Sequence, residues 1–147
     1  HIWEEGLAAK LLTTNVVVRR CEEDGNGTDV VEAKVFLPSS AELGLGKEGG
    51  VAEGSLLALF DWYDWVCYYT PEALANCSNL PEDEPACWWL RTPTYYTPNE
   101  VRYVDSYGIR LSTIANYSDT GVRPVCNLPA STWVSPPDEK GVHTVLS

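Results

Sequence analysis

The chain has 147 residues, of which 44% are hydrophobic and 21% charged, a balance typical of a single folded domain spanning residues 1–147 rather than of a disordered chain. Its net charge of −11, with only 10 lysines and arginines, excludes a nucleic-acid partner, because a phosphate backbone needs clustered cations. Apolar runs such as residues 55–60 are too short to cross a bilayer, so we predict no membrane insertion.

The start of the chain and its cysteines set further limits. The chain has no methionine and opens without a secretory leader pattern, which predicts that it is the C-terminal portion of a longer product. Its five cysteines contain no CxxC pair, and the two histidines lie near the ends, so no structural zinc site is predicted. One disulfide within residues 67–87 and buried free thiols remain as alternatives.

Three elements are predicted in the first 40 residues. Residues 2–12 carry apolar side chains at helical spacing and predict a short amphipathic helix. The β-branched runs 15–20 and 29–38 predict two strands, and the Asn-Gly dipeptide between them favours a hairpin. The connection also resembles a calcium loop, but the required later glutamate is not at its offset, so a turn is favoured.

A glycine-rich stretch follows the hairpin. Ser39 or Ser40 is placed to cap a helix that begins near residue 41 and ends in the glycines of 44–50. Three of these glycines match the GxGxxG spacing of dinucleotide-binding proteins. That motif must follow a strand and open a helix, whereas this one follows a helical turn, so we interpret it as a loop.

The middle of the chain is dense in aromatic residues. We interpret most of the aromatics in 53–69 as core side chains. Asp61 and Asp64 flank aromatics in this run and are the best candidates for the carboxylates of a carbohydrate-active enzyme. Thr70 and Pro71 then predict the start of another helix.

From residue 87 onward, short β-prone pieces alternate with turn residues, which predicts a compact antiparallel set of strands. The helical segments come early and the strands mostly late. The predicted fold class is therefore α+β, with short helices packed on small antiparallel sheets.

The stretch between WWLRTP (88–93) and GVRP (121–124) has the composition of a binding face. It holds five of the eight tyrosines, together with many Ser, Thr, Asn and Asp residues. Tyrosine offers a large contact area with little rotamer entropy to lose, and small polar residues offer adaptable hydrogen bonds, as in antibody paratopes. Alternatively, the tyrosines pair across the strands of a half-exposed sheet.

Three motifs taken together carry a family resemblance: VFLPSSAELG (35–44), WWLRTP (88–93) and GVRPVCNLP (121–129). They resemble motifs of a bacterial and phage domain of uncharacterised function, a branch of the formylglycine-generating-enzyme-like group of the C-type lectin fold. Some of its members resemble the variable proteins of diversity-generating retroelements, in which a reverse transcriptase rewrites adenines in the codons of a displayed segment.

The resemblance implies a non-enzymatic, ligand-binding display domain of C-type lectin-like fold, without a metal or cofactor. Its partner would be a protein or glycan, on a cell surface or phage particle. The implied ligand-binding residues are Tyr95, Tyr96, Asn99, Arg102, Tyr103, Asp105, Tyr107, Arg110, Ser112, Asn116, Tyr117 and Asp119. Between Thr94 and Asp119 only Glu100 is of a residue type that adenine rewriting of Asn-type codons cannot produce.

The chain also departs from the family pattern. An upstream helix containing tryptophan and arginine is missing, so the chain is predicted to be an incomplete copy that lacks its N-terminal part. The cysteine motif of the oxidases and the calcium-dependent sugar motif of lectins are not found. Arg91 and Arg123 are interpreted as structural, hydrogen-bonded to loop carbonyls or a buried carboxylate. A structural module of a surface or phage tail protein is a further alternative.

Overall fold

The computed structural model describes residues 5–57, 65–76, 80, 83–138 and 144–146. In these ranges the elements, in chain order, are α1 (Glu5–Lys10), β1 (Thr14–Arg19), β2 (Thr28–Ala33), β3 (Val35–Phe36), α2 (Pro71–Asn76), β4 (Trp88–Pro93), β5 (Glu100–Val104), β6 (Arg110–Ile114) and β7 (Val125–Cys126). The strands form three antiparallel sheets, β1–β2, β3–β7 and β4–β5–β6. The predicted α+β class is confirmed. None of the helices in the described ranges has the length and apolar character needed to cross a bilayer.

The predicted hairpin is confirmed, with a longer connection than a two-residue Asn-Gly turn. Val16 of β1 lies opposite Val31 of β2. Left-handed backbone falls on Gly25 (φ 92°) and Asn26 (φ 45°), one residue earlier than an Asn26-Gly27 turn would use. The helix predicted before the hairpin is confirmed as α1, and its first predicted residues lie outside the described range.

The predicted helix after β3 is a single turn capped at both ends. The Ser39 hydroxyl accepts from the Glu42 N–H (3.2 Å), and the Ser39 N–H donates to Glu42 Oε2 (3.0 Å), which is a capping box. Gly44 has a φ of 73°, and the Leu45 N–H donates to the Ser40 carbonyl (2.9 Å), which closes the turn as a Schellman motif. The glycines that follow form a loop, as predicted.

Arg91 ties this capped turn to β4. Its Nη1 and Nη2 donate to the two carboxylate oxygens of Glu42 at 2.6 and 2.7 Å, and both side chains are 9% exposed. Further bonds run to the carbonyls of Leu37 (2.7 Å), Val17 (3.0 Å) and Glu53 (2.8 Å). The structural role predicted for Arg91 is confirmed, because one guanidinium joins four separate stretches of chain.

The second helix begins as predicted, since Thr70 Oγ1 accepts from the Ala73 N–H at 3.2 Å. The candidate carboxylates Asp61 and Asp64 lie outside the described residues, as does Cys77. The remaining cysteines are free thiols: Cys21, Cys67, Cys87 and Cys126.

The core lies beneath the three-stranded sheet. Trp88, Leu90, Val104 and Leu43 are each at most 1% exposed and form its centre. Along β4, buried positions alternate with half-buried ones, as expected for a strand with one face on the core. The buried side chains of WWLRTP hold this strand in place, because each large apolar side chain removed from water contributes roughly 1.5–3 kcal/mol to the stability of the fold.

Candidate functional site: the segment between two paired motifs

The motifs WWLRTP and GVRP lie side by side. Trp88 forms a parallel bridge with Gly121, where the Trp89 N–H donates to the Gly121 carbonyl (3.0 Å) and the Gly121 N–H donates to the Cys87 carbonyl (2.8 Å). The Arg123 guanidinium carbon lies 5.1 Å from the centroid of the Trp88 ring. The intervening segment therefore leaves β4 and returns to the same strand.

Two faces are distinguished by the register of β5 and β6 within this segment. Arg102 lies opposite Ser112, and Tyr103 lies opposite Leu111. Because side chains alternate along a strand, the first pair shares one face of the sheet and the second pair shares the other. Trp89 of β4 lies opposite Tyr103, with ring centroids 6.1 Å apart at an angle of 70°.

Arg102 and Arg110 both contact the buried carboxylate of Glu48, which is 7% exposed. Arg102 donates through Nε (3.0 Å) and Nη2 (2.7 Å), and Arg110 Nη1 lies 3.5 Å from Oε2. The Tyr95 N–H also donates to this carboxylate, at 3.1 Å. Burial alone would raise the pKa of Glu48, but the hydrogen bonds and charge of Arg102, with Tyr95 and Arg110, outweigh it and lower the pKa below 4.5.

Tyr95 is held by residues from the β1–β2 hairpin. The Arg19 guanidinium carbon lies 4.9 Å from the centroid of the Tyr95 ring. The Tyr95 hydroxyl donates to Glu22 Oε1 (3.2 Å), and the Glu22 N–H donates to the Tyr95 carbonyl (2.8 Å). Tyr95, Arg102 and Arg110, like Tyr103, are therefore among the predicted ligand residues that make specific contacts within the protein.

Other predicted residues extend into solvent. Tyr107, in the turn between β5 and β6, is 82% exposed, Tyr96 is 73% exposed and Tyr117 is 48% exposed. Asp105 orders the turn by accepting from the backbone N–H groups of Tyr107 (2.9 Å) and Ile109 (2.8 Å). Ser112 is half-buried, with its hydroxyl 3.4 Å from Glu100 Oε2. The remaining predicted residues are exposed: Asn99, Asn116 and Asp119.

The structure adds one tyrosine that the sequence did not single out. Burial raises the pKa of Tyr103 above 10.0, and Cys87, Asp105 and Tyr117 add to the shift. Burial also raises the pKa of Tyr69, with Cys87, Cys67 and Asp119 adding to it. Tyr69 lies beside the second motif, since a Cβ added at Gly121 would be 3.8 Å from the Tyr69 ring and 3.3 Å from the Cys87 carbonyl. Tyr69 lies far along the chain from Gly121, so no local pattern could have brought the two together.

Across the described ranges, no cluster of three His, Cys, Asp or Glu side chains is arranged to hold a metal ion. The geometry is that of a small α+β domain that exposes a tyrosine-bearing segment between WWLRTP, in which every second residue is buried, and GVRP, which pairs with it. Residues 1–130 match the family described as Domain of unknown function (DUF6273), and the chain belongs to this family. No curated protein and no solved structure matches the chain.

Proposed function

We propose that this chain is a ligand-binding display domain of C-type lectin-like fold, with the segment 94–119 as the variable binding face of a diversity-generating retroelement protein. One observation carries the proposal, a contrast in exposure. Tyr96 and Tyr107 are 73% and 82% exposed, whereas Trp88 in the preceding motif is 1% exposed. Exposed side chains contribute little to packing, so they can change while the fold persists.

The size of the face favours a macromolecular ligand. Tyr96 and Asn99 belong to the β4–β5 loop, which lies beside the end of β6, since the Ala115 N–H donates to the Asn99 carbonyl (2.9 Å). Tyr107 lies at the opposite end of the same strands. Five-residue strands span about 16 Å, so a ligand touching both ends is an extended glycan or a protein.

The predicted residues divide into two roles. Tyr96, Asn99, Tyr107, Asn116, Tyr117 and Asp119 are exposed and are assigned to direct ligand contact. Tyrosines at such a face stack on sugar rings or fill pockets on a protein. By contrast, Arg102 and Arg110 are assigned to support, because both form ion pairs with the buried Glu48 carboxylate.

Tyr107→Ala tests the proposal. We expect binding to weaken by more than about 1 kcal/mol, because the variant removes an exposed aromatic contact. The free energy of unfolding should stay within about 0.5 kcal/mol of the wild-type value. Ligands are first sought by probing arrays of bacterial surface glycans and surface proteins with the wild-type chain, and affinities are then measured by biolayer interferometry.

The matched control is Tyr68→Ala, which removes a tyrosine that is 60% exposed but lies outside the segment. The proposal fails if Tyr68→Ala weakens binding as much as Tyr107→Ala does. It fails equally if Tyr107→Ala unfolds the protein, because the side chain would then serve packing rather than contact.

A further inference from the structure

A cavity of about 520 Å³ lies where α1 meets the C-terminal stretch of the chain. Its lining residues are Lys10, Pro129, Ser131, Thr132, Trp133 and Leu146. None of them belongs to the segment 94–119, so the cavity is independent of the proposed display face. Its volume lies within the range of small-molecule sites, roughly 300–1,000 Å³.

Backbone contacts fix the walls of this cavity. Val134 pairs with Val145 in an antiparallel bridge, and the Leu146 N–H donates to the Trp133 carbonyl (2.8 Å). From the helix side, Lys10 Nζ donates to the Leu146 carbonyl at 2.7 Å. Helix α1 and two stretches near the C-terminal end are thereby held around one space, which is what a preformed site requires.

The lining combines an aromatic ring with polar groups that can still form hydrogen bonds to a ligand. Trp133 is 79% exposed, although a tryptophan is normally buried. Within the described parts of the chain, the hydroxyls of Ser131 and Thr132 have no hydrogen-bond partner. The Lys10 ammonium has three N–H groups and uses one on Leu146, so two remain for a ligand.

We propose that this cavity binds a hexuronate, a pyranose ring that carries a carboxylate. The indole of Trp133 offers a flat apolar surface for the C–H face of the ring, and the hydroxyls of Ser131 and Thr132 match ring hydroxyls in bonding capacity. Lys10 is the only charged residue among the lining residues that the structure describes, so it selects a carboxylate over the neutral hydroxymethyl group of a hexose.

The test is a titration of the ¹⁵N-labelled chain with glucuronate, glucose and benzoate, followed by NMR at the Trp133 indole N–H and the Thr132 amide. We expect saturable shifts with glucuronate, weaker binding of glucose and weaker binding of benzoate. Trp133→Ala should weaken glucuronate binding about tenfold through loss of stacking. Lys10→Met should weaken it about fivefold, to the level of glucose, while Lys10→Arg retains it.

Each other outcome overturns the proposal. If glucose binds as tightly as glucuronate, Lys10 does not select a carboxylate. If benzoate binds as tightly as glucuronate, the site does not recognise a sugar ring. Absence of saturable shifts with glucuronate up to about 100 mM excludes the site. The Leu146 amide resonance reports whether Lys10→Met leaves the cavity intact, and Tyr107→Ala should leave glucuronate binding unchanged. The display proposal therefore stands or fails separately.

Discussion

Gly49 lies against the Tyr95 ring with a φ of 54°. A Cβ added at this position would overlap the Tyr95 ring and lie 2.7 Å from Arg19 Nη2. We predict that Gly49→Ala lowers the free energy of unfolding by about 2–4 kcal/mol, because it combines backbone strain with overpacking. Urea denaturation followed by tryptophan fluorescence measures the loss.

Gly50→Ala is the control for this prediction. Gly50 also has a left-handed backbone, with a φ of 78°, but no atom lies within 4 Å of an added Cβ. Gly50→Ala should therefore lower the free energy of unfolding only through backbone strain, by about 1–2 kcal/mol. Equal losses for the two variants would show that contact with Tyr95 is unimportant.

Neighbouring tyrosines of the segment have different roles, and composition could not separate them. Tyr95 and Tyr96 are adjacent in sequence, with ring centroids 4.5 Å apart, yet Tyr96 is exposed while Tyr95 packs on Arg19. The role of Tyr95 depends on Arg19 and Glu22, which the hairpin brings from more than 70 positions away. Composition predicted a tyrosine-rich surface, and only long-range contacts assign each ring.

Glu48 joins the glycine loop to β5, to β6 and to the β4–β5 loop. Because its pKa is lowered in the folded protein, the stability that this junction contributes depends on pH. In the unfolded chain the pKa returns to about 4.5. The stabilisation is therefore complete above pH 4.5 and is lost as the pH falls from there through the folded-state pKa.

Glu48→Gln tests this junction. We predict that the variant is about 2–4 kcal/mol less stable than the wild type at pH 7, because two partly buried guanidinium groups lose their counter-charge. The two curves of unfolding free energy against pH should approach each other as the pH falls below 4.5 and should converge only below the lowered folded-state pKa, where the glutamate is itself neutral. Glu32 is at an exposed position of β2, so the curve of unfolding free energy against pH for Glu32→Gln should run parallel to that of the wild type. A parallel curve for Glu48→Gln would contradict the proposed dependence of this junction on pH.

Elements with local signals were predicted in place, whereas the pairing of strands with distant partners was not. The capped turn follows from Ser39 and Glu42 at the capping-box spacing, and the start of α2 follows from Thr70 before a proline. The two-residue strands β3 and β7 instead depend on long-range pairing, in which Val35 lies opposite Cys126. Such short pairings leave no periodicity in the sequence.

For the whole molecule, the proposal predicts where natural copies of this chain differ. Substitutions should concentrate at exposed positions of the segment, such as Tyr96, Asn99 and Tyr107, and should avoid Arg102 and Arg110. The reason is that the exposed side chains contribute little to stability, whereas the two arginines neutralise a buried charge.

Sequencing the gene and its surroundings in many isolates measures this distribution. A reverse transcriptase gene beside a near-repeat of the codons for 94–119, differing at adenines, would support the mechanism. An invariant segment, or equal variation in the β1–β2 hairpin, would contradict it.

The bridge between Trp88 and Gly121 has a further consequence for insertions and deletions. Because Trp88 and Gly121 are paired, we expect that a change in the length of the chain between them will not move the residues before Trp88 or after Gly121. Doubling the length of a flexible loop adds only about 0.6 kcal/mol of closure entropy. The 115–120 connection could therefore be lengthened, shortened or exchanged for a foreign peptide as a cassette, with its junctions set by the strand pairing.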